Sequence, residues 1–333
     1  MPSSEGKRVN EEGGKHLTKP STGRSQVQEW VGQVEVGEGL HHQNLTLFPL
    51  FWRGETPVFE RYRLLSDAVE AKEALVEEVS EGGNVPFLGV KNEGAKPILI
   101  PEGEILIGAK QNRVVNLTVL VAANSTFKLP VSCVEQGRWH YKSRDFKPAA
   151  YAHPTLREFK VRSAQQNRRV MGEAVADQGG VWNEVDDHLD HFAAAAPTRD
   201  LAMGVEAAWE QTSDLREEIT LPEDACGFIA AYGGKVAALD LFDNPETMQK
   251  QWGRMSDAYF IEAARGRGDS IAAPKEAAES FLEDVKAHLA EAEQQPELGL
   301  ELEVQDDELS GSALFYEGAV CHLSAFQAGA DGL

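Results

Sequence analysis

The chain has 333 residues, of which 42% are hydrophobic and 26% are charged. This is the composition of a globular protein with enough apolar residues to bury a core. The formal net charge of −22 repels phosphate backbones and anionic lipid, so we expect neither nucleic acid nor a membrane as a partner. The sequence contains no run of about 18 apolar residues and therefore predicts no transmembrane helix.

The cysteines and the first residues indicate the cellular compartment. The three cysteines, Cys133, Cys226 and Cys321, lie far apart and have neither a disulfide-rich nor a metal-binding spacing. Residues 1–25 are polar and lack the apolar stretch of a secretory signal. They predict a flexible tail, because they cannot bury apolar surface. We expect a cytoplasmic protein with reduced thiols, no bound metal and no cofactor.

Residues 26–148 have the pattern of a β-rich unit. Short apolar runs alternate with turn signals that contain Gly and Asn, and one short helix begins at Ser66. The predicted strands are 45–52, 75–79, 87–90, 97–100, 105–107, 114–121 and 126–131. Strands at this close spacing are typical of an antiparallel sandwich or a barrel-like sheet.

Residues 149–333 are predicted to be mainly helical with added strands. The helical segments are 155–192, 198–218, 245–265 and 274–293, and the strands are 226–231, 236–241, 298–304, 311–316 and 319–326. The Gly233-Gly234 pair turns the first two of these strands into a hairpin, and Pro245 suits the first turn of a helix. The sequence thus predicts an α+β fold, and we interpret residues 26–333 as a single domain.

The first candidate site is the stretch 108–113, which lies between two predicted strands. It contains two cationic donors, Lys110 and Arg113, and two amides that both donate and accept, Gln111 and Asn112. Such a loop suits the recognition of an anionic or amide-bearing ligand. The alternative interpretation is a polar turn whose side chains hydrogen-bond to backbone groups.

The second candidate site follows the predicted strand 126–131. Glu135 is the candidate catalytic acid–base residue, Arg138 could hold an anion, and Trp139 could stack on a ring, with Gln136 beside them. The alternative is a hairpin end in which Glu135 pairs with Arg138 and Trp139 completes the core. Both stretches lie at the ends of neighbouring predicted strands, so we expect them to converge in one ligand-binding cleft.

Other chemistry has weaker support in the sequence. On a helix, His188 and His191 share a face, but the segment is rich in charge and lacks a third ligand at a metal-site spacing. Cys133 has no orienting base close to it in the sequence, so we expect a buried, inert thiol. The dinucleotide-binding, phosphate-loop, zinc-protease and serine-hydrolase motifs are all missing from the sequence.

Four stretches of the chain resemble a known family: PILIPEGEILIGAKQNRVVN, PVSCVEQGRW, GFIAAYGGKVAALDLF and HLSAF. Together they are similar to the ADP-ribosylglycohydrolase- and rhodanese-phosphatase-associated protein domain family, over about residues 28–327. The resemblance implies gene neighbours or fusion partners that handle ADP-ribose and phosphoester or persulfide chemistry. It implies no catalytic mechanism, because association with such partners is not a property of a site.

The residues and the resemblance leave three functions open. The first is a small-ligand-binding domain that recognises or processes an ADP-ribose-like or nucleotide-derived ligand in a pocket formed by the two candidate stretches. The second is a non-enzymatic interaction or scaffold protein of a bacterial stress or defence system, which would dock through the helical second half of the chain. Exposure of the apolar helix face around Trp252, Met255 and Tyr259 would favour this hypothesis. The third, a metal-dependent hydrolase, would require Glu102 or Glu104 to join the site.

Overall fold

The computed structural model describes residues 23–54, 60–79, 86–192, 194, 196–266, 270–304 and 306–329. The predicted tail over residues 1–25 lies almost entirely outside these residues. The described part begins with a helix, α1 (Gly23–Val31), where the sequence predicts mostly strand-like structure. Val27, Trp30 and Val31 of this helix are buried, because their spacing places them on one helical face. No helix within the described ranges is long and apolar enough to cross a membrane.

The described residues form helices and mainly antiparallel sheets in both halves of the chain. The strands are β1 (Val34–Val36), β2 (Leu40–His42), β3 (Leu45–Trp52), β4 (Arg63–Leu64), β5 (Ala74–Glu78), β6 (Phe87–Asn92), β7 (Ile98–Ile100), β8 (Glu104–Gly108), β9 (Arg113–Val115), β10 (Val119–Val121), β11 (Ser125–Cys133), β12 (Phe146–Tyr151), β13 (Gly227–Tyr232), β14 (Lys235–Phe242), β15 (Leu289–Glu291), β16 (Leu300–Val304), β17 (Leu309–Tyr316) and β18 (Ala319–Gln327). The further helices are α2 (Leu65–Glu70), α3 (Pro154–Met171), α4 (Gln178–His191), α5 (Leu201–Ala207), α6 (Ser213–Glu218), α7 (Pro245–Arg265) and α8 (Lys275–His288). The predicted α+β fold class is confirmed.

The larger sheet contains strands from both ends of the chain. Its strand order is β1-β3-β13-β14-β18-β17-β16-β15, with β2 paired to β3. The predicted hairpin is present as β13 and β14, and β13 also pairs with β3 from the first half of the chain. The last strand, β18, returns to pair with β14. The two halves of the chain therefore share one sheet, while the single-domain organisation over residues 26–333 stays a prediction.

The second sheet carries both candidate stretches. Its strand order is β12-β8-β9-β11-β6-β5, and a small sheet of order β10-β7-β4 lies beside it in the chain. In this second sheet every pairing is antiparallel. The start of β9 lies between the end of β8 and the end of β11, because Arg113 is opposite Leu106 on one side and Cys133 on the other.

The prediction and the structure differ at several elements. The predicted helix 198–218 divides into α5 and α6, and the predicted helix 274–293 ends with α8 at His288, where β15 follows. The predicted strand 114–121 divides into β9 and β10, which belong to different sheets. The predicted helix 155–192 divides into α3 and α4, because α3 ends at Gly172 in the left-handed conformation with φ of 80°, where a glycine is favoured. Strand β12 was not predicted. It contains Pro148, and it lies at the edge of its sheet, where proline is tolerated.

A buried network of charged side chains joins α3 to both of the larger sheets. Arg157 Nη2 lies 2.5 Å from Glu102 Oε1 and 2.7 Å from Asp240 Oδ1, and Lys160 Nζ lies 2.9 Å from Glu102 Oε2. His322 Nε2 is 3.0 Å from Asp240 Oδ1. All five side chains are fully buried. The positive charges of Arg157 and Lys160 balance the negative charges of Glu102 and Asp240, as burial of charged groups requires.

Candidate functional site

The two candidate stretches converge in the structure. The backbone N–H of Asn112 donates to Glu135 Oε2 at 3.1 Å, and the Val134 N–H donates to the Asn112 carbonyl oxygen at 3.1 Å. Gln111 Nε2 also donates to the Gln136 carbonyl oxygen at 3.4 Å. The contact follows from the sheet register, which places the ends of β8 and β11 on the two sides of β9. The expected meeting of the stretches is therefore found, while their role in ligand binding stays a prediction.

Arg138 binds the first loop with its whole guanidinium group. Its Nε and Nη2 approach the two oxygens of Glu135 at 2.8 and 2.6 Å. Nη2 also donates to the Gly108 carbonyl oxygen and to Asn112 Oδ1, each at 3.1 Å, and Nη1 donates to the carbonyl oxygens of Ala109 and His140. Arg138 is 5% exposed, and its donors already have protein partners. It therefore stabilises the loop and is poorly placed to hold an anion.

Asn112 links the loop to the helical half of the chain. Its Oδ1 accepts from the Gly108 backbone N–H at 3.1 Å, while Nδ2 donates to both carboxylate oxygens of Asp200 at 3.0 Å. Asp200 also accepts from the Ala202 N–H at the start of α5, as a helix N-cap does. Asp200 was not identified as a site residue from the sequence. Asp200 lies inside the predicted helical segment 198–218, so the pattern indicates neither its role as the N-cap of α5 nor its contact with Asn112.

Glu135 and Asp200 have opposite pKa shifts. Burial raises the pKa of Glu135, but hydrogen bonds from Arg138, the Asn112 N–H and Thr198 outweigh burial and hold this pKa below its ordinary value. Burial raises the pKa of Asp200 above its ordinary value, and the nearby charge of Glu135 adds to the effect. Glu135 is therefore ionised at neutral pH and fully hydrogen-bonded, so acting as an acid or base requires breaking these bonds.

Arg113 is also buried, but its donors are only partly satisfied. Nη1 donates to Gln111 Oε1 at 3.0 Å, and Nη2 lies 3.7 Å from Glu78 Oε1. Within the described residues, Nε and Nη2 of Arg113 and both oxygens of Glu78 have no hydrogen-bond partner. Burial raises the pKa of the neighbouring Cys133 thiol to about 11, as expected for an inert thiol. Arg113 is 0% exposed and does not reach the surface.

Two exposed aromatic rings form the surface at this junction, next to Lys110, which is only 8% exposed. Trp139 is 47% exposed and Tyr141 is 53% exposed. Lys110 Nζ lies 5.5 Å from the centre of the Trp139 ring and 5.2 Å from that of the Tyr141 ring, within the range of cation–π attraction. Arg113 Cζ lies 5.8 Å from the Trp139 ring centre. Trp139 is therefore accessible, as a stacking platform requires, and Tyr141 is a second ring that the sequence analysis did not single out.

A cleft opens beside this junction. It has a volume of about 450 Å³ and is lined by Ile107, Gly108, Asn112, Lys142, Ser143, Arg144, Asp145 and Lys147. Only Gly108 and Asn112 belong to the predicted site stretches. The remaining polar lining comes from the segment 142–147, which was not identified. In the sequence this segment belongs to the run WHYKSRDFK. The run contains three Lys or Arg residues after Trp139 and Tyr141, which is a basic cluster in an otherwise acidic chain.

The other candidates from the sequence do not join the site. His188 is fully buried and stacks on His153 with ring centres 4.8 Å apart, whereas His191 is exposed. Among the described residues, no group of His, Cys, Asp or Glu is arranged to hold a metal ion. Glu102 belongs to the buried network of α3, and Glu104 is paired with Arg254 at 2.8 Å.

The apolar face of α7 is not a free surface. Met255 and Tyr259 are fully buried, and Trp252 is partly buried against the core. The helix therefore uses this face to pack on the sheets. The docking face expected for the interaction hypothesis is not available at these residues.

No curated protein and no solved structure matches the chain. The family model of the ARG and Rhodanese-Phosphatase-superfamily-associated Protein domain matches residues 33–326. This match covers β1 to β18 almost completely and includes both candidate stretches and the cleft beside them. The chain therefore belongs to the ARG and Rhodanese-Phosphatase-superfamily-associated Protein domain family.

Proposed function

We propose that the chain is a small-ligand-binding domain for a ring-bearing anionic molecule of the ADP-ribose-like or nucleotide-derived kind. The single observation that carries the proposal is the exposed pair of rings, Trp139 and Tyr141, beside the ammonium group of Lys110. Exposed aromatic faces next to a cation suit a ligand that combines a planar ring with negative charge. The family adds support by association, since it is named for partners that handle ADP-ribose.

The buried residues of the site hold its two loops in a fixed conformation. Arg138 and Glu135 hold the two loops together, and Asn112 and Asp200 connect them to α5. A site on a fixed backbone loses less entropy when it binds a ligand. We therefore assign Gln111, Asn112, Glu135 and Arg138 to the support of the binding surface. The proposal is limited to binding, because Glu135, the candidate acid–base residue, already uses both oxygens.

A second candidate function is the docking of a protein partner. Trp139 and Tyr141 are both exposed and their ring centres lie within 5.5 Å of the same Lys110 Nζ, and exposed apolar side chains close together often mark interaction surfaces. This function uses the same surface without a small ligand. The two candidates therefore differ in whether a small molecule alone binds at Trp139.

The test is a thermal-shift and fluorescence titration of the purified protein with ADP-ribose, ADP, NAD and adenosine. Ligand at about 100 times its dissociation constant stabilises a protein by about 2.7 kcal/mol. We expect a clear rise in melting temperature with at least one compound, together with quenching of tryptophan fluorescence. Both effects should be lost in Trp139→Ala.

Trp209→Ala is the matched control, because Trp209 is 53% exposed against 47% for Trp139, and its ring centre lies 3.6 Å from Arg216 Cζ, outside the site. This variant should bind as the unmodified protein does. Equal binding by Trp139→Ala and Trp209→Ala would place any ligand elsewhere. If none of the four compounds changes stability or fluorescence, the partner-docking function is favoured. The next experiment is then a pull-down of protein partners with the unmodified chain.

A further inference from the structure

We infer that the cleft beside the aromatic surface is an anion subsite that takes the phosphoryl group of the ligand, with Lys142, Arg144 and Lys147 as its cationic residues. This inference rests on the proposed function, because it names the groups that hold one part of the same ligand. It also assigns the anion to residues other than Arg113 and Arg138, the two arginines that the sequence suggested.

The buried arginines are unsuitable for an incoming anion. Arg138 donates to Glu135, to Asn112 and to backbone carbonyl oxygens, so an anion would have to displace bonds that hold the loop. Arg113 is fully buried under the loop. By contrast, Lys142, Arg144 and Lys147 are exposed and line a concave surface. The cationic donors that a dissolved ligand meets are therefore those of the cleft.

The charge of the cleft is opposite to that of the chain. The chain carries 54 acidic and 32 basic residues, so a basic side chain on its surface readily finds a carboxylate. Lys91, Lys128 and Lys250 do so, with Glu93, Glu173 and Asp67. In the described part of the chain, the three cleft cations form no such ion pair. Asp145 is the one carboxylate that lines the cleft with them, so three cations and one anion leave a local positive charge that attracts anions.

The backbone keeps this cleft in shape. Gly108 has a φ of 140°, and a Cβ atom there would lie 2.3 Å from the Asp145 carbonyl oxygen. Ser143 Oγ accepts from the Ala109 N–H at 3.1 Å and donates to the Asp145 carbonyl oxygen at 2.7 Å. The segment 142–147 therefore lies directly against the end of β8. This close approach requires glycine at position 108.

The size and lining of the cleft favour a phosphorylated small molecule. The volume of about 450 Å³ lies in the range of small-molecule sites. Lysine is a compact point charge and arginine a fork of donors, and both are common ligands of phosphate. Asp145 also lines the cleft, and its Oδ1 is buried without a hydrogen-bond partner among the described residues. This acceptor suits a hydroxyl group next to the phosphate, as on a ribose.

The experiment compares ADP, inorganic pyrophosphate and adenosine by calorimetric titration at low salt. The test variant is Lys142→Gln/Arg144→Gln/Lys147→Gln, and the control is Lys91→Gln/Lys128→Gln, which removes exposed charges elsewhere on the same sheet. Because charge-assisted bonds to phosphate are lost, we expect the test variant to bind ADP at least about tenfold more weakly. It should bind adenosine as the unmodified protein does, and the control variant should bind all three probes normally.

The outcomes separate the subsite from the proposed function. If ADP and adenosine bind equally well and the test variant does not weaken either, the anion subsite is wrong while ring binding stands. If pyrophosphate binds and is lost in the test variant, but adenosine does not bind and Trp139→Ala has no effect on ADP, the subsite stands and the ring-binding function is wrong. If no probe binds, both are wrong.

Discussion

Arg138 shows how a residue that looks like a ligand clamp can instead be part of the scaffold. The sequence places it three residues after Glu135, and the alternative of an internal Glu135–Arg138 pair is the arrangement found. Arg138 also donates to the carbonyl oxygens of Gly108 and Ala109 on the other loop, and the sequence could not predict these hydrogen bonds. These contacts depend on strand register and not on local pattern.

We predict that Arg138→Ala destabilises the protein by about 3–5 kcal/mol, because it leaves the buried Glu135 carboxylate unpaired. The measurement is urea-induced unfolding followed by circular dichroism. Arg53→Ala is the control, since the Arg53–Glu35 pair is more than half exposed, and exposed pairs contribute about 0–1 kcal/mol. If Arg138→Ala lowers the free energy of unfolding no more than Arg53→Ala does, Arg138 does not stabilise the loop.

His188 gives the protein a specific sensitivity to acid. Burial lowers the pKa of His188 well below its ordinary value of 6.5, and the neighbouring His153 and Arg265 lower it further. In the unfolded chain this histidine binds a proton below about pH 6.5, whereas in the folded chain it stays neutral. The unfolded state therefore binds more protons, and the free energy of unfolding falls as the pH falls.

Between pH 7.5 and pH 5 a histidine that stays neutral throughout in the folded chain contributes at most about 2 kcal/mol. We therefore expect the unmodified protein to lose more stability over this interval than His188→Leu, by up to about 2 kcal/mol. The measurement is urea unfolding at both pH values. His191→Leu, at an exposed position on the same helix, should retain the full pH dependence. If both variants lose as much stability as the unmodified protein, His188 does not cause the effect.

At the scale of elements, α3 is fixed by charge as well as by apolar packing. Arg157 reaches Glu102 before β8 and Asp240 in β14, so one side chain connects the helix to two sheets. Patterns of apolar residues predict helices and strands, but a charged residue in a helical pattern predicts a solvated face. For this reason the sequence did not identify Arg157 or Lys160 as buried.

We predict that Arg157→Met costs about 3–5 kcal/mol, because it leaves two buried carboxylates with too little positive charge. Adding Asp240→Asn should recover part of this loss, since it removes one of the unpaired charges. Arg162→Met is the control on the same helix, where the arginine is 45% exposed and its pair contributes little. Urea unfolding measures all four proteins, and equal losses for Arg157→Met and Arg162→Met would refute the role of the network.

The elements that the sequence predicted well are those with strong local signals. The hairpin β13–β14 turns at two glycines, and α7 begins at Pro245 with the Asn244 side chain accepting from the Thr247 N–H. Strand β12 lacked such a signal, because an edge strand with Pro148 and a register shift has no regular alternation. Elements that depend on their neighbours for stability were therefore missed.

At the scale of the whole molecule, the site is formed by residues far apart in the sequence. Asn112 and Asp200 are 88 positions apart, and they meet because the sheet register and α5 bring them together. The sequence predicted the two loops correctly as polar ends of neighbouring strands. It could not show which of their side chains are buried, and this distinction separates the supporting arginines from the accessible cleft.

The net charge of −22 predicts how ligand binding depends on salt concentration. An anionic ligand is repelled by the chain at long range and attracted by the three cleft cations at short range. Salt screens both interactions, and at about 0.01 M ionic strength the screening length is about 30 Å, against about 10 Å at 0.1 M. The observed salt dependence therefore reports which interaction dominates once the ligand is bound.

For the unmodified protein we expect ADP binding to weaken as salt rises from about 0.01 to 0.2 M, because contacts with the cleft cations are lost to screening. In Lys142→Gln/Arg144→Gln/Lys147→Gln only the repulsion remains, so its weaker binding should become tighter with salt. Calorimetric titration at several salt concentrations measures both slopes. The Lys91→Gln/Lys128→Gln protein has almost the same net charge as the test variant and should keep the slope of the unmodified protein. A reversed slope in this control would show that total charge, and not the cleft, governs binding.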